Sequence, residues 1–258
     1  MTAPKDDTPF FVGYLATPPG LRLFLTATCL ALMLGAAGLA YAVAVTQDDP
    51  GDGRLRFDFG PQTVMGVLEL TPAPILHVTQ GTDAIPVGHT LMLSGQGKNG
   101  AVDRARALEG QLVSATGILL QRGNLDMLQL NGGNNFRAAD DQPATLPDIP
   151  EPEPLGRWQI TGEICDGKCQ AGAMRPGNGI AHRACANLCL VGGVPPVFVS
   201  TQPVDGEGFL LITGAGDDVL PPALFDYVGL YVTLEGDVAR HGDLLVLSVD
   251  TDTVVLAQ

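Results

Sequence analysis

Five residues able to bind a metal ion or to form disulfides lie close together in the second half of the chain. Cys165, Cys169, His182, Cys185 and Cys189 follow the pattern C-x3-C-x12-H-x2-C-x3-C. Thiolate sulfur and imidazole nitrogen suit zinc and copper, so four thiolates, or three with the histidine, can enclose a tetrahedral ion. Two other chemistries stay open: two disulfides in an oxidising compartment, or a redox-active dithiol. The sequence contains no C-x-x-C-H, so covalent c-type haem attachment in its usual form is not supported.

A short helix is predicted to position three of these side chains. Residues 181–190 contain neither Gly nor Pro. His182, Cys185 and Cys189 are spaced i, i+3 and i+7, which places them on one helical face. An Arg-Pro-Gly-Asn-Gly turn upstream reverses the chain and can bring Cys169 back onto that face. We therefore expect these four side chains to converge, with the remaining cysteine within reach as a substitute ligand or disulfide partner. Disulfides would cross between the two cysteine pairs, because parallel side chains on one helix have poor disulfide geometry.

The cysteine-rich segment is predicted to be an insertion in the second of two duplicated units. Residues 91–130 and 210–249 align without a gap at a constant offset of 119, and nine of the forty positions are identical, five of them Gly. Matches further upstream leave 26 extra residues in the second copy, at about residues 166–193. Because the first copy lacks this loop, the insertion is the expected place for an added function, and it should protrude from the second unit alone.

The units themselves are predicted to be small β-barrels. Short runs rich in Val, Leu and Ile are bounded by Gly, Asn or Asp, as strands are. Charged residues make up 16% and hydrophobic residues 45% of the chain, which speaks against global disorder, while abundant Gly and Pro argue against a long-helix bundle. We expect a mainly β fold of two OB-like domains, 57–135 and 156–258, joined by a Pro-rich acidic linker at 140–155. A β-sandwich is the alternative.

An apolar stretch near the N-terminus predicts a membrane anchor. Residues 23–45 carry no charge, and as a helix they would span roughly 34 Å, enough for a hydrocarbon core of about 30 Å. A cleavable signal is the alternative, but this run is longer than a typical signal core. Lys5 and Arg22 precede it and favour a cytoplasmic leader at 1–22. The expected location is the bacterial inner membrane, crossed once, with the C-terminal domains in the periplasm.

Other features narrow the function without naming a reaction. The net charge of −14 makes nucleic acid a poor partner. No G-x-S-x-G, P-loop or H-E-x-x-H pattern occurs, so an enzyme is not favoured, although the question stays open. His77, His89 and His241 are dispersed in the sequence and are interpreted as ordinary surface or strand residues.

The segment GEICDGKCQAGAMRPGNGIAHRACANLCLVGGVPPVF resembles the signature of a family of uncharacterised bacterial membrane-anchored proteins, K-C…M-x-P-G-x-G-x-x-H-x-x-C-A-x-x-C. Lys168 and Met174 match that pattern, whereas Cys165 is additional to it. The resemblance implies no activity. It implies a shared set that suits a Cys3His metal site better than two disulfides: Cys169, His182, Cys185 and Cys189.

Two functional hypotheses follow. In the first, the protein is an accessory subunit or assembly factor of a membrane redox (respiratory) complex, and its Cys/His loop binds zinc or copper or is held by disulfides without a cofactor. In the second, it is a periplasmic thiol oxidoreductase or metal carrier that uses Cys169, Cys185 and Cys189. The second hypothesis also predicts that Lys168 lowers the pKa of Cys169.

Overall fold

The computed structural model describes residues 17–46, 51–213 and 220–257. The chain divides into two compact units, residues 1–49 and 50–258. In the first, helix α1 (Pro19–Thr46) is long and apolar enough to cross a membrane, by length and composition. It begins at Pro19 because proline lacks the N–H that the first helical turn leaves unused. The helix therefore contains the predicted span and also the end of the predicted leader, of which residues 1–16 lie outside the described residues.

The second unit begins with a seven-stranded sheet, here called the first sheet. Its strands are β1 (Arg54–Leu55), β2 (Gln62–Glu69), β3 (Ile75–Gln80), β4 (Thr90–Ser94), β5 (Leu112–Arg122), β6 (Leu125–Leu130) and β7 (Phe136–Ala138). Their order is β1-β5-β2-β3-β4-β6, with β7 on β5 and an additional pairing of β5 with β6. All pairs are antiparallel except β4 with β6. A short helix, α2 (Val102–Ala105), follows β4.

A closed five-stranded barrel follows in the same unit. It contains β8 (Glu153–Asp166), β9 (Pro196–Val204), β10 (Glu207–Thr213), β11 (Tyr231–His241) and β12 (Leu244–Leu256). The order is β10-β12-β11-β8-β9, and β10 pairs with β12 in parallel. Between β8 and β9 lie a π-helical turn (Cys169–Ala173) and helix α3 (Arg183–Val191).

The two sheets share a hydrophobic core because β4 and β10 are buried on both faces. Successive side chains of a strand point to opposite faces. In β4, Leu91 points into the core of the first sheet, whereas Met92 belongs to a third cluster shared with the barrel. In β10, Leu210 points into the barrel core, whereas Phe209 and Leu211 enter the shared cluster. The shared cluster fixes the first sheet against the barrel.

The mainly β class and the apolar N-terminal helix are confirmed. The strands extend beyond the predicted boundaries: β1 and β7 flank the range 57–135, and β8 begins inside the predicted linker 140–155. Its start is set by pairing, because Glu153 and Pro154 lie opposite Arg240 and Ala239 of β11. The short helix predicted at 181–190 is observed as α3, which begins two residues later.

Candidate metal centre

Three thiols from two local elements meet in the segment between β8 and β9. Cys169 begins the π-helical turn, and Cys185 and Cys189 lie one turn apart on α3, as residues four apart do. The three Sγ atoms all lie within 4.8 Å of one another. Cys169 and Cys189 are buried, whereas Cys185 is half-buried. Sulfurs on a tetrahedral zinc with bonds of about 2.3 Å are ~3.8 Å apart, so small side-chain shifts would bring these three onto one ion.

Glycines allow the segment to fold back on itself at this point. Gly172 has φ +122, a conformation that side chains rarely adopt, and a Cβ there would lie 2.1 Å from the backbone nitrogen of Arg54. A Cβ on Gly177 would lie 2.5 Å from the carbonyl oxygen of Cys169. The π-helical turn therefore packs directly against the backbone of residues 53–54, and the chain returns past the Cys169 carbonyl at Gly177.

A loop of the first sheet closes over the thiols. The Lys98 Nζ donates a hydrogen bond of 2.6 Å to the Cys185 Sγ. Lys168, from the barrel segment, is buried and donates in return to the carbonyls of Gly95 and Gly97, at 2.5 and 2.8 Å. Two cations thus flank the sulfurs. The sequence did not point to Lys98, because it lies far from the cysteines along the chain.

The thiols differ in their readiness to ionise. The pKa of Cys169 is raised well above its usual range, because its thiol is hydrogen-bonded to Cys189, is buried and faces Asp166. The same hydrogen bond lowers the pKa of Cys189 to about 7, against the opposing effects of burial and Asp166, and Lys98 contributes. Cys189 is thus the more acidic thiol of the two. Cys169 therefore does not have the lowered pKa that was expected of it beside Lys168, and burial lowers the pKa of Lys168 itself.

His182 turns towards a carboxylate rather than towards all three sulfurs. It lies at the N-cap position of α3, and its Nε2 is 3.0 Å from Asp166 Oδ2, with both side chains buried. Ligand atoms of His182, Asp166 and Cys169 lie within 4.8 Å of one another. Asp166 Oδ1 also accepts a hydrogen bond of 2.8 Å from the Cys169 N–H. The structure therefore brings His182 to Cys169, but Cys185 and Cys189 are not part of that group.

Cys165 is separate from both groups. It is buried in β8, and its thiol donates a hydrogen bond of 2.8 Å to Glu163 Oε1. Burial, followed by the Glu163 charge, raises the pKa of Cys165 well above its usual range. All five cysteines are free. A fourth sulfur does lie beside the three thiols, but it belongs to Met174 and not to Cys165. The Met174 Sδ is 3.5 Å from the Cys185 Sγ.

The arrangement offers three thiols, one thioether and a buried histidine–aspartate pair. Soft sulfur donors in this number favour copper(I) or zinc(II) over magnesium or calcium. Comparisons with protein-family models, curated proteins and solved structures found no match for this chain.

Proposed function

We propose that the protein is a membrane-anchored accessory or assembly factor of a membrane redox complex, and that it holds a copper(I) or zinc(II) ion on Cys169, Cys185 and Cys189. The observation that supports this proposal most directly is that the three Sγ atoms lie within 4.8 Å of one another and form no disulfide. His182 and Asp166 support the centre through Cys169, the residue that belongs to both groups.

Charge compensation supports this proposal. Three thiolates with a monovalent or divalent cation leave a net negative charge, which is costly to bury alone. Lys98 contacts Cys185 directly, and Lys168 lies in the segment that leads into Cys169. Both lysines lower the electrostatic cost of assembling thiolates.

The graded exposure of the donors supports metal exchange with a partner. Cys169 and Cys189 are buried, Cys185 is half-buried, and Met174 and Lys98 are exposed. An ion could therefore pass from the exposed sulfurs to the buried ones without unfolding of the segment. Together with α1, this suits a protein that serves a redox complex from the periplasmic side of a bacterial inner membrane.

We also infer that the first sheet and the barrel are copies of one small OB-like barrel. The offset of 119 moves the β4–β6 pair Met92–Met127 onto the β10–β12 pair Leu211–Val246. It likewise moves Gly117 onto Gly236, and both glycines leave no space for a Cβ beside a facing carbonyl. Under this inference, the segment between β8 and β9 was added where the first copy has only residues 70–74.

A second candidate function is thiol oxidation and reduction. It is favoured by the Cys169–Cys189 pair, in which a thiol with a pKa of about 7 lies beside a thiol whose pKa is raised. The Cys189 thiolate could attack a substrate disulfide and release one substrate thiolate, and Cys169 could then displace the second substrate thiolate, which leaves a Cys169–Cys189 disulfide and a reduced substrate. Cys185 and Met174 would have no role in that chemistry, whereas both fit a metal centre.

Native mass spectrometry of the full chain in detergent, with bound metal and free thiols scored together, tests the metal centre. After addition of copper(I) or zinc(II), we expect one ion bound at the three thiols of the wild type, which are thereby protected. Cys189→Ser should lose the ion. Cys165→Ser is the matched control and should keep it, because Cys165 lies outside the centre. Equal metal content in the two variants would contradict the proposal, and metal-independent thiol turnover would favour the oxidoreductase. Stoichiometric copurification with a redox complex tests the partner.

A further inference from the structure

A second group of ligating side chains lies at the junction of the first sheet and the barrel. Glu69 ends β2, His77 lies on the adjacent β3, and His241 ends β11 of the barrel. His77 Nε2 is 2.9 Å and His241 Nε2 is 3.3 Å from the same atom, Glu69 Oε2. Both histidines are strand residues, as interpreted from the sequence, and packing of the two sheets places their ring centroids 5.1 Å apart.

The spacing of these atoms matches a metal coordination sphere. Zinc bonds to imidazole nitrogen and carboxylate oxygen are about 2.0–2.2 Å long, so neighbouring donors around a tetrahedral ion are ~3.3 Å apart. The two nitrogen–oxygen separations are 2.9 and 3.3 Å. One ligand atom from each of the three residues lies within 4.8 Å of the others. A divalent ion would need only small side-chain rotations.

No lysine or arginine in the described ranges balances the carboxylate of Glu69 beside these two histidines. His77 and His241 are 7% and 6% exposed, and the buried His241 Nε2 makes no hydrogen bond despite its 3.3 Å contact with Glu69 Oε2. Within the described ranges, no lysine or arginine pairs with Glu69, whose ion-pair contacts are the two histidines. A buried imidazole nitrogen without a partner is unfavourable unless its lone pair binds a proton or a metal.

We propose that Glu69, His77 and His241 form a second metal site, separate from the thiolate centre, for a divalent first-row transition-metal ion such as zinc. The two-nitrogen, one-oxygen donor set is harder than three sulfurs and therefore selects against copper(I). The side chain of Glu69 is 26% exposed, so the ion has a route to solvent and an open position for water. Because the ligands come from both sheets, the ion joins the first sheet to the barrel.

The test uses the full chain in detergent with Cys169→Ser, Cys185→Ser and Cys189→Ser combined, which removes the thiolate centre. Titration with Zn²⁺ should show one equivalent bound, and Co²⁺ should give ligand-field bands of a low-coordinate ion without a thiolate charge-transfer band. Adding Glu69→Gln or His241→Gln should weaken Zn²⁺ binding by more than the ~10–100-fold that outer-shell changes cause. His89→Gln is the matched control, a histidine at the same junction outside the triad, and should leave the affinity within about threefold.

Absence of Zn²⁺ binding in the triple-serine chain, or unchanged affinity in Glu69→Gln, would overturn the proposal. If the serine variants fail to fold, Co²⁺ titration of the wild-type cysteine chain replaces them. In that chain, Glu69→Gln should remove only the band set without thiolate character. Persistence of both band sets in Glu69→Gln would contradict the second site. Absence of a thiolate charge-transfer band in the Co²⁺-loaded wild type would instead contradict the centre at the three thiols. Failure of the second site and failure of the thiol site therefore give different spectra.

Discussion

The Nζ of Lys98 lies 2.6 Å from the Sγ of Cys185, and the two residues come from opposite sides of the sheet junction. Lys98 belongs to the loop after β4, whereas Cys185 lies on α3 of the barrel segment. The hydrogen bond to Cys185 raises the pKa of Lys98. The reactivity of the thiols is thus coupled to how the two sheets pack.

Removing the Lys98 charge should weaken the thiolate centre. We expect Lys98→Met to reduce metal affinity by roughly two- to fivefold, because Lys98 is exposed and solvent screens its charge. Lys98→Arg keeps the charge and should lose less. Competition titration against a chelator measures both affinities. Identical affinities for the methionine and arginine variants would show that the charge has no role.

Replacing Asp166 should affect stability and thiol acidity in opposite directions. Asp166→Asn removes the charged partner of the buried His182, so we expect a loss of about 1–3 kcal/mol in the free energy of unfolding. Because the Asp166 charge raises the pKa of both Cys169 and Cys189, the variant should lower both pKa values. Urea unfolding and pH-dependent alkylation of the metal-free chain measure the two effects. Asp205→Asn, at a surface ion pair with Arg240, should change neither.

The junction should lose stability in alkali through His89. Burial alone would lower the pKa of His89, but hydrogen bonds with Asp126 and Asp243 outweigh it and raise the pKa from 6.5 to about 9. Because its pKa is raised in the folded state, His89 contributes its full stabilisation of that state below about pH 6.5. This contribution is lost as the pH rises through about 9. We therefore expect His89→Gln to cost on the order of 1 kcal/mol at pH 6, discounted for partial exposure, and little at pH 10. A pH-independent difference in unfolding free energy would contradict the assignment.

The first sheet and the barrel should unfold together. Phe209 is 3% exposed in the shared cluster, and its backbone exchanges two hydrogen bonds with the Asn124 amide, at 2.9 and 3.2 Å. Phe209→Ala should cost about 3–5 kcal/mol, while the exposed Tyr231→Ala should cost much less. Calorimetry should show one transition in the wild type. Two well-separated transitions would mean that the shared cluster does not couple the sheets.

The residues after α1 should lie outside the cytoplasm. A reporter enzyme that is active only in the periplasm, fused after Gln258, should be active, because the predicted orientation places the C-terminus there. A fusion of a cytoplasm-specific reporter at the same position is the control and should be inactive. The reverse pattern would overturn both the location and the partner proposed for the protein.

Local patterns in the sequence were sufficient for the elements that carry the thiolate centre. Each of three features can be read from residues close together in the sequence. They are the apolar run before residue 46, the β-rich remainder and the helix around Cys185 and Cys189. Helical spacing also predicts that Cys185 and Cys189 lie side by side, as they do. His182 meets Asp166 and Cys169 rather than all three thiols, because its ring pairs with a buried carboxylate that helical spacing does not reveal.

Only the tertiary structure decided which distant groups meet. Lys98 reaches Cys185, and His77 meets His241, because both faces of β4 and β10 are buried and the first sheet must pack on the barrel. Such contacts depend on how buried surfaces fit across the whole fold, and no local periodicity records them. The sequence alone therefore determined the thiols and the elements that bear them. Packing determined the lysine and the aspartate beside the thiols and, at a separate place, the histidine–glutamate cluster.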